Sequence, residues 1–526
     1  MLLKKLIKNL PGEKKKIRIL GLASNSKKIK KGYIFFAING EKINGEKFIN
    51  EAIRKGAIAI VCSKNCSYFN KKIPIIKTSR IRNFLSEVSS NFYKLKPKNI
   101  IAVTGTNGKT SVADLFYQIL SLNNVPVASI GTLGIKYKKK IIKTNLTSPD
   151  TISIHKILKE IKKNKIDNVI IEASSHGLSQ NRLNHLNIKA GIFTNFTQDH
   201  LDYHKTMKSY LNSKLILFRN ILTKKKSIIL DKSIKQFLIL KKISKQKKLR
   251  IIDISKIKKN INKINDLKFN EFQLKNLSMA IAAAKVCNLK DNKIYKTLKK
   301  IKDVDGRLEL IRIFPNNIKV FVDYAHTPDA LLKALRALKI YHGKNVSLVF
   351  GCGGDRDKKK RPIMAKIAKS NCKKIYVTDD NPRNEKPEKI RNEIVKKISS
   401  DNCFNIGNRI KAIKTSVSNA EPNEVILIAG KGHEVEQIYK NKIISISDKK
   451  IIKKLKVKIK SSTKKIQKFT HNKKILKKIV KGVRVDNFDG IAIDSREVKK
   501  NNLFLKIKGK NNDGANFVSK ALKKGA

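Results

Sequence analysis

Acidic residues are scarce in this chain: 40 Asp and Glu stand against 118 Lys and Arg in 526 residues, a formal net charge of +78. Tryptophan is absent and aromatic residues reach only 6%. There are six cysteines, and only Cys62 and Cys66 lie close together. No apolar run is long enough to cross a bilayer. Each shortage excludes something. Without a second cysteine pair there is no zinc site, and scattered cysteines suit a reducing cytoplasm. Lysines break up the apolar residues between Met1 and Leu10, so the start lacks a signal-peptide core. The basic excess would ordinarily suggest nucleic acid or an acidic membrane. Here it is spread along the whole chain and is mostly lysine, without the local arginine and aromatic enrichment of a nucleic-acid surface. Together with abundant Ile and Asn it reads as compositional drift. No specific nucleic-acid partner and no membrane span are expected, only weak polyanion binding at low salt.

What is present is more informative. The length calls for several domains, and a hydrophobic content of 40% can build a core in each. The apolar run Ile100 to Val103 reads as a buried strand. Val112, Leu115, Phe116, Ile119 and Leu120 then recur at helical spacing. Between them lies Thr104-Gly105-Thr106-Asn107-Gly108-Lys109-Thr110-Ser111. A glycine-rich strand-to-helix turn aims backbone N–H groups and a helix N-terminus at an anion. Lys109 can then meet terminal phosphates, and Thr110 or Ser111 can serve a magnesium ion. Only two residues separate the glycines, where the commoner phosphate loop has four.

The spacing of apolar runs predicts an α/β architecture. A first region, 1–97, carries strands at Tyr33 to Ile38 and Ala57 to Cys62. A second, 98–305, alternates strands (Val169 to Ile171, Ile192 to Thr194) with helices, as a parallel sheet requires. A third, 306–448, has strands at Val320 to Val322, Val346 to Phe350, Ile375 to Thr378 and Val425 to Ile428, in a Rossmann-like alternation. Residues 449–478 are Lys-rich and read as a linker. Residues 479–526 hold a partial repeat of the first region. From Asp494-Ser495-Arg496 onward the sequence aligns without gaps on Asn25-Ser26-Lys27 onward, 469 positions earlier. Ser26, Phe35, Gly40, Gly45, Phe48, Ala52, Gly56 and Ala57 all recur at that offset. The expectation is a second copy that begins and is cut off.

Polar clusters follow the strands of the second region: Glu172 with Ser174, Ser175 and His176, then Asn195, Asp199, His200, Asp202 and His204. Ligands in open parallel sheets bind beyond the carboxyl ends of strands. Glu172 and His200 should therefore share a crevice with the phosphate loop and suit divalent-metal ligation beside nucleotide phosphates. A histidine there could instead merely satisfy a buried partner.

These motifs, in this order, resemble those of the Mur ligases. The resemblance covers about residues 20–450. It is carried by the short phosphate loop, Thr147-Ser148-Pro149-Asp150, Glu172 through Leu178, Asn195 through His204 and Lys214 through Phe218. Gly306-Arg307, Asp323 through Asp329, Gly351 through Met364 and Asp380-Asn381-Pro382-Arg383 complete it. The folylpolyglutamate synthetases share the loop and metal residues but are not expected to carry the N-terminal uridine motif or Asp-Asn-Pro-Arg. A third alternative is a non-enzymatic, basic polyanion-binding protein. The family's uridine triplet, Asp-Ser-Arg, stands here as Asn25-Ser26-Lys27, and Lys27 offers a weaker anchor than an arginine fork. The intact triplet lies in the partial repeat, which resembles the opening of a D-alanyl-D-alanine-adding member of the family.

The resemblance implies a cytoplasmic, three-domain ligase using ATP and Mg2+. Its partners would be UDP-N-acetylmuramoyl-L-alanyl-D-glutamate and meso-diaminopimelate, joined through an acyl phosphate. By residue-for-residue match, it implies ATP contacts from Gly105, Thr106, Asn107, Gly108, Lys109, Thr110, Ser111, Asn276, Arg307 and Asp323. Thr110, Glu172, His200 and a carbamylated Lys214 would serve the metals, with Lys109, His200 and Lys214 central to catalysis. Ser26, Thr147, Ser148, Ser174, Gln180 and Arg182 would hold the UDP-linked substrate. Arg356, Asn381, Pro382, Arg383, Gly430 and Glu434 would hold the amino acid. An arginine at position 383 suits bidentate capture of a distal carboxylate and would repel the distal ammonium of lysine.

Overall fold

A computed structural model describes residues 1–6, 17–40, 43–138, 140–144, 146–264, 269–343, 345–456, 490–492, 495–500, 502–505 and 517–525. By contacts the chain divides into two compact units, Met1–Val457 and Lys458–Ala526.

The first unit is built on three α/β sheets. The first sheet is parallel and takes its four strands in sequence order: Gly21–Ala23, Tyr33–Phe36, Ala57–Ser63 and Ile75–Thr78. The second has eight strands. From one edge they run Arg250–Asp253, Ser227–Leu230, Ile188–Phe193, Asn99–Thr104, Asn168–Glu172, Val127–Gly131, Gly134–Tyr137 and Lys140–Ile142. Its central strands are wholly buried because helices cover both faces. Ile100, Ala102, Val169 and Ile171 pack into one core, and Ile101, Val103, Ile170 and Ile192 into the other. Such two-sided burial explains the unbroken apolar runs in the sequence. The last two strands turn back as antiparallel neighbours, an edge that the periodicity did not announce. The third sheet orders Glu309–Phe314, Ile318–Asp323, Val425–Ala429, Val346–Phe350, Lys374–Val377 and Cys403–Asn405. It is parallel except for its first strand, whose half-exposed alternation marks an antiparallel edge.

The sequence-based strands recur with small changes of limit. Ile192 to Thr194, for example, overlaps the end of Ile188–Phe193, with Thr194 just beyond it. The helix after the phosphate loop runs Lys109–Leu122. No helix among the described residues is long and apolar enough to cross a membrane. All six cysteines are free.

The second unit repeats the opening of the first. Gly490–Ala492 pairs in parallel with Asn502–Phe504, in the register Gly490↔Asn502, Ile491↔Leu503, Ala492↔Phe504. In the first unit the register is Gly21↔Tyr33, Leu22↔Ile34, Ala23↔Phe35, each residue 469 positions earlier. The helix Val518–Leu522 stands at the same offset from the start of Ile49–Arg54. So does the positive-φ glycine that follows it: Gly525 against Gly56, each lying against the backbone of Lys500 or Lys31. Asp494 and most of 449–478 lie outside the described residues.

Candidate active site

The phosphate loop leaves the fourth strand of the eight-stranded sheet, between the carboxyl ends of Ile188–Phe193 and Asn168–Glu172. Both neighbours fix it. Asn107 N–H donates to Asn195 Oδ1 (2.9 Å), and Asn107 O accepts from Thr194 Oγ1 (2.6 Å) and Asn195 Nδ2 (3.0 Å). Gly105 (φ +148°) lies so close to Thr194 Oγ1 that a side chain would collide. Gly108 (φ +87°) has the Asn276 amide where its Cβ would stand. The glycines thus provide both the turn and the close approach. Lys109 Nζ donates to the Gly105 (2.9 Å) and Thr106 (2.7 Å) carbonyls. Burial pushes its pKa down, opposed by Glu172 and Asp199.

Around this loop opens a cleft of about 430 Å³. The central sheet contributes Thr106 through Ser111, Glu172, His200, Lys214 and Asn276, and the third sheet's side contributes Arg307, Asp323, Tyr324, His326 and Arg356. Glu172 is buried at a strand tip and accepts from Thr110 Oγ1 (3.0 Å), Thr132 N (2.8 Å) and Thr132 Oγ1 (3.1 Å). His200 holds a left-handed backbone (φ 53°) before a short helix, with Nε2 3.3 Å from Asp199 Oδ2. Its Nδ1 is buried without a partner. Burial brings its pKa down to about 3, with nearby positive charge assisting and Asp199 opposing, so the ring is a neutral potential ligand. Burial also disfavours a charged Asp199, but the neighbouring His326 (3.8 Å), His200 and Lys360 outweigh it and hold the acid well below the usual range.

Lys214 is fully buried. Its Nζ donates to Gly105 O (2.8 Å) and sits 4.2 Å from the centre of the Tyr210 ring. Burial, with Lys109 nearby, drives its pKa well below the ordinary lysine value. The donor set fits Mg2+ in one particular way. Among the described residues no group of three or more His, Cys, Asp or Glu is arranged to hold an ion. A carboxylate beside a threonine hydroxyl and an orphaned imidazole nitrogen would instead share it with phosphate oxygens and water, as Mg2+ tolerates.

A polar wall continues from Glu172. Thr132 Oγ1 meets Thr147 Oγ1 at 3.3 Å, Ser148 Oγ donates to Glu172 O (2.7 Å), and Ser174 N–H donates to Ser148 Oγ (2.9 Å). Arg182 Nη1 donates to Ser148 O (2.7 Å), and its Nη2 to Gln180 Oε1 (2.7 Å). Ser26 is not part of this cleft. It lies on the first sheet's side, where its hydroxyl donates to Glu51 Oε2 (2.9 Å).

The remaining residues gather behind Arg356 on the third sheet. Arg383 (φ 52°) is anchored by its N–H on Ile438 O (2.9 Å), while Nη1 donates to Gly354 O (2.9 Å) and Asn381 O (3.2 Å). Gly353 faces both Arg383 and Arg356, and Pro382 O lies against Gly354. Asn381 Nδ2 donates to Glu434 Oε2 (3.1 Å). Gly430 (φ +106°) leaves room for the Asp380 carboxylate. Two residues that spacing did not single out complete the cluster. Lys431, fully buried, donates to Asn381 Oδ1 (3.2 Å), Glu434 Oε2 (2.9 Å) and Glu436 O (2.6 Å). Tyr324 OH donates to Glu434 Oε1 (3.3 Å). A lysine among 118 basic residues carries no signal of its own, although its place between Gly430 and Gly432 could have flagged it.

Comparison with known proteins agrees along the chain. Residues 103–296 match the Mur ligase middle domain, and 306–432 the Mur ligase glutamate ligase domain. Residues 18–93 and again 487–526 match the Mur ligase family catalytic domain. The UDP-N-acetylmuramoyl-L-alanyl-D-glutamate--2,6-diaminopimelate ligase of Rickettsia bellii is 40% identical over 465 residues, covering 83% of this chain and 95% of that protein. A solved structure of an enzyme with the same name is similar at 26% identity and a TM-score of 0.59, over 86% of this chain and 98% of that one. The MurF ligase of Thermotoga maritima, solved in complex with ADP, shares the fold at 17% identity and a TM-score of 0.52, over 78% and 94% of the two chains.

Proposed function

Because the chain belongs to the Mur ligase family, we propose that it is an ATP-dependent, ADP-forming ligase that adds meso-diaminopimelate to UDP-N-acetylmuramoyl-L-alanyl-D-glutamate in peptidoglycan synthesis. The observation that carries this reading is the meeting of the phosphate loop, Glu172, His200 and Lys214 with Arg307 and Asp323 around one cleft. Arg383 lies near Arg356, with Gly353 against both.

In this reading the terminal carboxylate of the dipeptide attacks the γ-phosphorus of ATP. The bond to ADP breaks and an acyl phosphate forms. The amine of diaminopimelate then attacks the acyl carbon, and the tetrahedral intermediate expels phosphate to leave the amide. Charge crowding dominates, so catalysis rests on positioning and electrostatics. Lys109 faces the terminal phosphates. Arg307 and Asp323 reach the nucleotide from the third sheet, and domain closure would keep water from the acyl phosphate. Asn276, packed on Gly108, borders the nucleotide site. Mg2+, held through Thr110, Glu172 and His200, would neutralise phosphate charge. Lys214 suits carbamylation, because burial shifts it toward the neutral amine, the form that adds CO2. The resulting anion would replace a cation with a carboxylate-like ligand.

Ser148, Ser174, Gln180 and Arg182 line the path of the dipeptide, and Ser26 belongs to the uridine end on the first sheet. Arg383 recognises the distal carboxylate: Nη1 is taken by two carbonyls, while no described residue takes Nη2. Glu434 and Asn381 complete the zwitterion's contacts. The domain limits 1–97, 98–305 and 306–448 and a cytoplasmic setting belong to the same reading. The segment 479–526 is proposed as the opening of a further family module, of the D-alanyl-D-alanine-adding kind, supported by its second family match and its repeated register. Purified protein should release phosphate from ATP only when the UDP-linked dipeptide and meso-diaminopimelate are both present. Equal release with either one omitted would reject the reading.

A further inference from the structure

Tyr324 stands between two groups with different tasks. The Arg307 guanidinium carbon lies 4.4 Å from the centre of its ring. At its other end, the hydroxyl donates to Glu434 Oε1 (3.3 Å). The backbone fixes the side chain's origin: Tyr324 N–H donates to Gly306 O (2.9 Å), and Gly432 packs so closely on Tyr324 Cβ that a larger residue would not fit. His326 and His433 flank the ring, at 4.6 and 5.3 Å between centroids. Burial, with the Glu434 charge beside it, raises the phenol's pKa above the usual tyrosine range, so the hydroxyl stays a donor. Arg307 also touches His433 (3.4 Å), the residue next to Glu434. One aromatic side chain thus supports a nucleotide-facing cation with its face and an amino-acid-facing carboxylate with its tip.

We propose that Tyr324 is a positioning residue that ties the two co-substrate sites together, so that seating one favours seating the other. The inference rests on the function proposed above. A carboxylate held by Tyr324 on Oε1, and by Lys431 and Asn381 on Oε2, can present its charge in one orientation only. Arg307 seated on phosphate is backed by the ring's face, and the same ring's hydroxyl holds Glu434, so order at one end favours order at the other.

The two halves of the side chain can be tested separately. Tyr324→Phe keeps the face and removes the tip; Tyr324→Leu removes both. Affinity for a fluorescent ATP analogue, measured without amino acid, should be unchanged in Tyr324→Phe and fall about threefold in Tyr324→Leu, the scale of a modest cation–π contact. The KM for meso-diaminopimelate should rise about tenfold in Tyr324→Phe with kcat little changed, as expected for loss of a hydrogen bond to a charged group. Saturating meso-diaminopimelate should lower the KM for ATP in the unaltered enzyme and do so less in Tyr324→Phe. An unchanged meso-diaminopimelate KM in Tyr324→Phe overturns the proposal. So does a fall in kcat and melting temperature with both KM values intact, the mark of a merely structural role. If the unaltered protein shows no turnover dependent on meso-diaminopimelate, the assigned reaction fails instead. Nucleotide affinity then decides: a loss confined to Tyr324→Leu supports the link to Arg307, and equal affinities overturn it.

Discussion

Lys214 shows how burial at a single residue can set chemistry. Removed from water and close to Lys109, it is held well below the ordinary lysine pKa. Burial thus favours the neutral amine, which reacts with CO2, over the ammonium, which does not. Protein equilibrated with 13C-labelled CO2 should give a carbamate carbon resonance that Lys214→Arg lacks. Lys214→Arg should also lose ligation while keeping nucleotide affinity. A resonance that persists in the variant would place the modification elsewhere. His155 is a second buried base, with a different consequence. It is fully buried on the helix Thr151–Lys163, neither ring nitrogen has a partner, and its pKa is brought down to about 3 by burial, with Lys96 and His185 adding to the effect. In the unfolded chain it would titrate near 6.5. Above that pH both states are neutral and it has no effect on pH dependence. Below it the unfolded state takes up the proton first, so stability falls as pH drops from about 6.5 toward 3, by up to about 1.4 kcal/mol per unit from this one group. Denaturant titrations of His155→Leu across that window should show a shallower slope than the parent. Equal slopes would contradict the assignment.

At the scale of elements, the phosphate loop joins two sheets as well as facing a nucleotide. Asn107 has its backbone fixed to the central sheet through Asn195 and Thr194. Its side chain points the other way, donating to Asp329 Oδ2 (3.0 Å) and accepting from Thr327 Oγ1 (3.3 Å) at the start of the helix Pro328–His342. Asn107→Ala should therefore leave nucleotide affinity within about threefold while lowering kcat/KM for the amino acid about tenfold, the scale of two hydrogen bonds. Equal losses in both would return Asn107 to a simple nucleotide contact. The sequence already shows where the loop sits, because the strand before it is uniformly apolar and the helix after it is periodic. It does not show where this side chain goes, since an asparagine serves a phosphate or a neighbouring helix equally well. The antiparallel edges of the two larger sheets escaped detection for a related reason. Gly134–Tyr137 is short, and in Glu309–Phe314 the apolar residues are interrupted by Arg312 and mostly half-exposed, so neither shows the unbroken apolar run of the buried strands. Tyr324 and Lys431 were hidden because their importance lies in what they hold, which only proximity reveals.

Across the whole molecule, the large basic excess and the cleft are separate matters. The charge is distributed along the chain, whereas the site is ordered by particular pairs: buried Asp199 lies near His326 and Lys360, and beyond Arg356 the half-buried Glu434 pairs with Lys431. Two sheets contribute to that cleft, and the first sheet carries the motif position Ser26 at a separate place. The duplicated opening in the second unit was legible from a constant offset, and the same register in the strands shows that the likeness extends to backbone pairing. Its triplet position 494 lies outside the described residues. The account stands on a magnesium nucleotide site facing an arginine that selects an amino acid with a distal carboxylate. The most direct measurement is ligation of UDP-N-acetylmuramoyl-L-alanyl-D-glutamate with ATP, comparing meso-diaminopimelate with L-lysine and following the product mass together with ADP. The account predicts product and stoichiometric ADP with meso-diaminopimelate and little of either with L-lysine; efficient ligation of L-lysine, with none of meso-diaminopimelate, would contradict it.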